Sequence, residues 1–128
     1  MKTIVWKKFE EVFGDTTGAQ VYFAPGRVNL IGEHTDYNAG HVFPCALTIG
    51  TYAVARKRQD NVLQFYSMNF EKLGVIGCTL DDLTPSPEAD WTNYPKGVMW
   101  AFEQRGMKIP CGMDILLNGN IPNGSGLS

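Results

Sequence analysis

Ala24-Pro-Gly-Arg-Val-Asn-Leu-Ile-Gly-Glu-His-Thr-Asp-Tyr-Asn38 is the densest run of ligand-capable groups in the chain. Arg27, Asn29, Glu33, His34, Thr35, Asp36, Tyr37 and Asn38 crowd together here, punctuated by Gly26 and Gly32 and flanked by hydrophobic runs. The stretch has no lysine, and it sets donors beside acceptors as an ordinary solvated loop does not. Such a set suits a polar pocket for a small hydroxyl-rich ligand.

The rest of the composition narrows the class. A chain of 128 residues with 44% hydrophobic residues is long enough for one domain with a real core. Its formal net charge is −2, with no long run of either sign, so no nucleic-acid partner is expected. Arg56-Lys57-Arg58 is the nearest approach to a basic cluster, and it reads as a solvated turn. No apolar run approaches the roughly 20 residues that span a bilayer, and the N-terminus lacks the apolar core of a signal peptide. Cys45, Cys78 and Cys111 are far apart and odd in number, which predicts buried free thiols and a reducing, cytoplasmic setting.

Hydrophobic spacing predicts the elements. Trp6, Phe9, Val12 and Phe13 mark an amphipathic helix from about residue 3 to Phe13, closed by Gly14. A short strand is expected over Gln20–Ala24, ended by Pro25 and Gly26. His41–Thr48 reads as an edge or bent strand because of Pro44. Ile49–Arg56 and Val62–Ser67 read as a hairpin, with a weaker strand in Leu73–Leu80. A helix is expected over Trp91–Gln104, with Tyr94, Val98, Ala101 and Phe102 on one face, and a strand over Met113–Leu117. This order predicts an α+β fold.

The chain closes on Ile121-Pro-Asn-Gly-Ser-Gly-Leu-Ser128. Glycines let backbone N–H groups approach an anion, and a following helix would complete such a site. By itself the run is first a turn signal. Gly119 and Gly124 have the spacing of the Walker A glycines, but Ser125 stands where that loop needs lysine.

Together the two stretches resemble known sequences. Gly26-Arg-Val-Asn-Leu-Ile-Gly-Glu-His-Thr-Asp-Tyr-Asn38 is similar to the signature of galactokinases. Ile121–Ser128 looks like the first half of the phosphate loop of the GHMP kinase superfamily, and Phe43-Pro-Cys-Ala46 and Trp91-Thr-Asn-Tyr-Pro-Lys-Gly97 resemble galactokinase segments in the same order. The resemblance implies the N-terminal GHMP-kinase domain (ribosomal protein S5 domain 2-like), a mixed sheet with helices on one face. It also implies transfer of the γ-phosphoryl group of ATP, with Mg2+, to the C1 hydroxyl of α-D-galactose. Arg27 matches the arginine beside the reacting hydroxyl, Glu33, His34 and Asp36 match sugar-binding positions, and Trp91 and Tyr94 match the lining of an adenine pocket. Gly124, Ser125, Gly126 and Ser128 match the phosphate loop.

Galactokinases are several times longer, so the resemblance implies that residues 1–128 are an incomplete N-terminal part, lacking the C-terminal domain. The family's catalytic aspartate and its magnesium ligands would lie beyond Ser128. On this reading the chain alone is inactive, contributes no metal ligand, and oligomerises through surfaces that the missing part would cover. Two alternatives share the resemblance: an N-acetylgalactosamine kinase, and a non-catalytic galactose- and ATP-binding regulator.

Overall fold

A computed structural model describes residues 1–127. Its elements are α1 (Lys2–Phe13), β1 (Gln20–Asn29), β2 (Pro44–Lys57), β3 (Val62–Ser67), β4 (Ile76–Thr79), α2 (Asn93–Gln104) and β5 (Met113–Gly119). Short 3-10 turns occupy Asp36–Asn38, Met68–Leu73 and Pro87–Thr92. The strands form one mixed sheet in the order β1-β2-β5-β3-β4, parallel between β3 and β5 and antiparallel elsewhere. The α+β class is as expected.

The expected hairpin of β2 with β3 does not form, because β5 lies between them. The sequence of β5 explains this. Leu116 packs on one face of the sheet, while Met113 and Ile115 pack on the other. A strand that is apolar on both sides is best placed centrally, with both edges paired and both faces covered. The α2 crossover returns the chain alongside β3 and supplies the parallel pairing.

The helices do not share one face. Helix α1 buries Val5 and Phe9 against Val54, Tyr66 and Leu116. Helix α2 brings Met99 to Leu63, Phe65 and Leu83. Leu63 and Phe65 alternate with Tyr66 along β3, so the two clusters lie on opposite sides of the sheet.

Helix α2 is also rotated from its expected orientation. Lys96 and Met99 are its buried residues, whereas Tyr94, Val98 and Phe102 are exposed. Trp91, just before the helix, sets its ring edge-on to Phe65 at 6.1 Å. Lys96 lays its stem along the core and donates from Nζ to the Thr84 carbonyl at 2.8 Å. These two anchors decide which stripe faces the sheet.

The basic cluster is no solvated turn. Asp114 on β5 is buried, and its carboxylate accepts from Arg56 Nη2 at 2.6 Å and Arg58 Nη1 at 2.9 Å. Arg56 also reaches the carbonyls of Phe13 and Asp15 at the end of α1 and lies over the Phe9 ring. One guanidinium thus ties helix to sheet where the helix presents its unpaired carbonyls. The three cysteines are free, but Cys45 is exposed and Cys78 and Cys111 are only half-buried. Partial burial still pushes the Cys78 thiol up.

Candidate functional site

Strand β1 does not stop at Pro25 and Gly26. It runs to Asn29 through an irregularity between Pro25 and Arg27, where two steps along β1 match four along β2. Proline is tolerated here because β1 is an edge strand. Strand β2 likewise runs unbroken from Pro44, joining the two segments expected separately, and Pro44 pairs with Asn29 at its first position. The signature therefore begins on a strand and continues into a loop whose two ends are held by the sheet.

Side chains then hold the loop in shape. Asn29 donates from Nδ2 to the Gly32 carbonyl at 3.2 Å, and its Oδ1 accepts from the Phe43 amide at 3.1 Å. Backbone bonds link Leu30 to Phe43 and Phe43 to Ile31. The Thr35 hydroxyl lies 2.7 Å from the Gly32 carbonyl and 2.6 Å from that of His41. Asn38 donates to the His34 carbonyl at 2.8 Å. Within this frame His34 and Ala39 adopt φ of 60° and 61°, a region that non-glycine residues occupy only under constraint.

The frame encloses a cavity of about 330 Å³ lined by Arg27, Asn29, Gly32, Glu33, His34, Asp36, Tyr37, Val42 and Pro44. The expected Arg27, Glu33, His34 and Asp36 thus meet in one place. Tyr37, from the same polar stretch, joins them, with its hydroxyl against His34 Nδ1. Val42 and Pro44 were not legible as wall residues, because apolar side chains flanking a polar run look like ordinary strand. Among the described residues, Arg27, Glu33 and Asp36 take part in no ion pair. Their charges are exposed and remain available to a ligand.

The glycine loop lies beside this cavity. Asn120 pairs with Gly50 in both directions, which places the loop at the point where β1 and β2 lose register. Leu127 then accepts a hydrogen bond from the Arg27 amide at 2.8 Å. Gly124 and Gly126 have φ of 69° and 73°, the left-handed turns that such a loop needs. Ser125 lies exposed between them, its amide reaching the Pro122 carbonyl at 3.3 Å. Ser128, expected in the same loop, lies outside the described residues.

Trp91 and Tyr94 differ in surroundings. The Trp91 ring belongs to the core around Leu63 and Phe65, and its buried Nε1 has no hydrogen-bond partner among the described residues. Tyr94 is 81% exposed. Near them a cleft of about 530 Å³ runs between Leu80–Pro85 and α2, lined by Asn93, Gly97 and Trp100 from the helix. Among the described residues there is no group of three or more His, Cys, Asp or Glu that could hold a metal, and no helix long and apolar enough to cross a membrane.

Residues 7–57 match the galactokinase galactose-binding signature. The galactokinase of Bacillus subtilis strain 168 is 59% identical over 120 residues, covering 94% of this chain and 31% of that protein. The galactokinase of Ligilactobacillus salivarius is 56% identical over 127 residues, covering 99% of this chain and 33% of that protein. Lactococcus lactis galactokinase, solved in complex with galactose, superposes with a TM-score of 0.94 at 48% identity, over 99% of this chain and 33% of its own. Methanococcus jannaschii mevalonate kinase, at 15% identity, covers 84% of this chain and 34% of its own with a TM-score of 0.64.

The mixed sheet with its glycine loop is the fold of the GHMP kinases, which the mevalonate kinase shares. The chain spans about a third of the length of the galactokinases it matches, and along nearly all of its own length it is similar to them.

Proposed function

We propose that this chain supplies the sugar pocket and the start of the phosphate loop of an ATP-dependent galactose 1-kinase, as part of that enzyme's N-terminal domain. One observation carries the reading. Arg27 lines the polar cavity while its backbone amide holds the glycine loop. A sugar in the cavity would therefore lie beside the loop that receives phosphate.

Each residue then has a chemical task. Glu33 and Asp36 accept hydrogen bonds from sugar hydroxyls, and His34, braced by Tyr37, adds a further polar contact. A pocket satisfied by the substrate's hydroxyls rejects sugars that leave those groups unpaired. The Arg27 guanidinium favours the developing alkoxide and the charge on the transferring phosphoryl group. Loop amides around Gly124, Ser125 and Gly126 cradle phosphate oxygens of ATP, with Ser128 extending the same loop. Tyr94 and the Trp91 ring border the adenine, beside the cleft along α2.

Magnesium accompanies ATP in this chemistry. The exposed Tyr94, Val98 and Phe102 stripe favours self-association of the chain, and its unpaired cysteines suit a cytoplasmic setting.

Galactose is favoured over N-acetylgalactosamine by the relative solved with galactose bound. Because the chain spans about a third of its relatives, the direct test is binding. Titration calorimetry should detect galactose binding and little response to glucose. Equal heats for the two sugars, or none for galactose, would defeat the reading.

A further inference from the structure

We propose that Gly26 is a positioning residue, a close-packed joint that sets the glycine loop against the strand carrying Arg27. The inference rests on the function proposed above and adds a part to it. Gly26 is buried, although its neighbours Pro25 and Arg27 are exposed. A Cβ at this position would lie 2.7 Å from the Leu127 carbonyl oxygen, 3.1 Å from Ile121 Cδ1 and 3.3 Å from the Ile49 carbonyl oxygen. The space is closed from one side by the loop and from the other by β2.

The local register explains the joint. Between Pro25 and Arg27 the β1–β2 ladder breaks, with Leu47, Thr48 and Ile49 opposite Gly26. The break turns the Arg27 amide out of the ladder and onto Leu127, at 2.8 Å. Sugar cavity and loop are thus held by adjacent backbone atoms of one short segment. Phosphoryl transfer depends on how its two partners are placed, and a displacement of about 1 Å can cost on the order of a hundredfold in rate. Any side chain at position 26 must push the loop backbone away. The loop of Glu33, His34 and Asp36 is braced separately, through Asn29 and Thr35, and stays in place.

The test separates the two ligands on the full chain, with galactose as one probe and inorganic tripolyphosphate as the other. In Gly26→Ala, galactose affinity should stay within about twofold, while tripolyphosphate affinity falls by about tenfold or more and the Arg27 amide exchanges faster. Ile121→Ala removes the side chain that packs on Gly26 and leaves the glycine in place. It should give the same split at smaller size, and it serves if Gly26→Ala does not fold. A purely structural role predicts that both affinities fall together with stability, and that result overturns the inference. Unchanged affinities in both variants overturn it as well, while leaving the proposed function standing. Failure of the unaltered chain to bind tripolyphosphate removes the loop's role and this inference with it, and failure to bind galactose removes the proposed function itself.

Discussion

Two groups of charges in this molecule have opposite fates. Asp114 is buried in the middle of the sheet, and both its oxygens are engaged by Arg56 and Arg58. Arg27, Glu33 and Asp36 stand exposed around a cavity and form no ion pair among the described residues. Burial makes an unpaired charge costly, so the first group is satisfied internally and serves the fold. Exposure allows the second group to wait for a partner, and braces of neutral side chains fix its geometry instead. Of these two groups, the paired one serves the fold, and the exposed one around the cavity stays open to solvent.

Breaking the first group should have the largest effect. Asp114→Ala removes the buried carboxylate that joins the two arginines, leaving Arg56 the Phe13 and Asp15 carbonyls and Arg58 the Asp60 carboxylate, and a loss of about 3 kcal/mol is expected in urea denaturation. A loss within about 0.5 kcal/mol, the range of ordinary surface changes, would show that the cluster does not carry the fold.

The second group should respond the other way. Arg27→Ala and Glu33→Ala are expected to weaken galactose binding by about ten- to a hundredfold by calorimetry, with stability unchanged within about 0.5 kcal/mol. If either lowers stability as Asp114→Ala does, the contrast between the groups collapses.

Asn29 lies between these cases, since it braces the site with bonds to both ends of the loop. Asn29→Ala should cost about 1 kcal/mol per lost bond and weaken galactose binding as well. Asn29→Asp keeps the acceptor for Phe43 but sets a carboxylate against the Gly32 carbonyl. It should restore stability only in part. Full recovery of both stability and binding would remove Asn29 from the frame.

The smallest effect is on acid stability. The Arg58 side chain holds Asp60 below the ordinary carboxylate range, the Thr84 hydroxyl does so for Asp82, and the Thr17 amide for Asp15. A carboxylate lowered in the folded state contributes stability above the unfolded value of about 4 and loses it as pH falls through its own lower value. These groups are solvent-exposed, so the slope is shallow. Asp60→Asn should flatten part of that slope in thermal melts at decreasing pH, and an unchanged slope would exclude Asp60 as a contributor.

Much of the site was legible because its signals are local. Arg27, Glu33, His34 and Asp36 lie close together along the chain, at the end of β1 and in the loop that follows it, and the cavity they form needs little from distant residues. The glycine loop was legible as a turn with donors, but its seat on Gly26 and Arg27 was not, since that contact spans most of the chain. Helix α1 was legible from its spacing alone. Helix α2 was legible as a helix and misjudged in rotation, because its stripe of Tyr94, Val98 and Phe102 is as apolar as its buried one. Arg56 and Arg58 looked solvated because Asp114 lies far along the sequence, in a run that reads as an ordinary strand.

By itself the sequence determined the element types, the polar signature and the chemistry it can hold, since periodicity, turn residues and side-chain groups act over a few neighbours. Only the tertiary structure decided the central place of β5, the division of the helices between two faces, the pairing of Asp114 and the meeting of the loop with Arg27. Those depend on which distant surfaces are buried together, and hydrophobic burial has no direction that a local pattern could record.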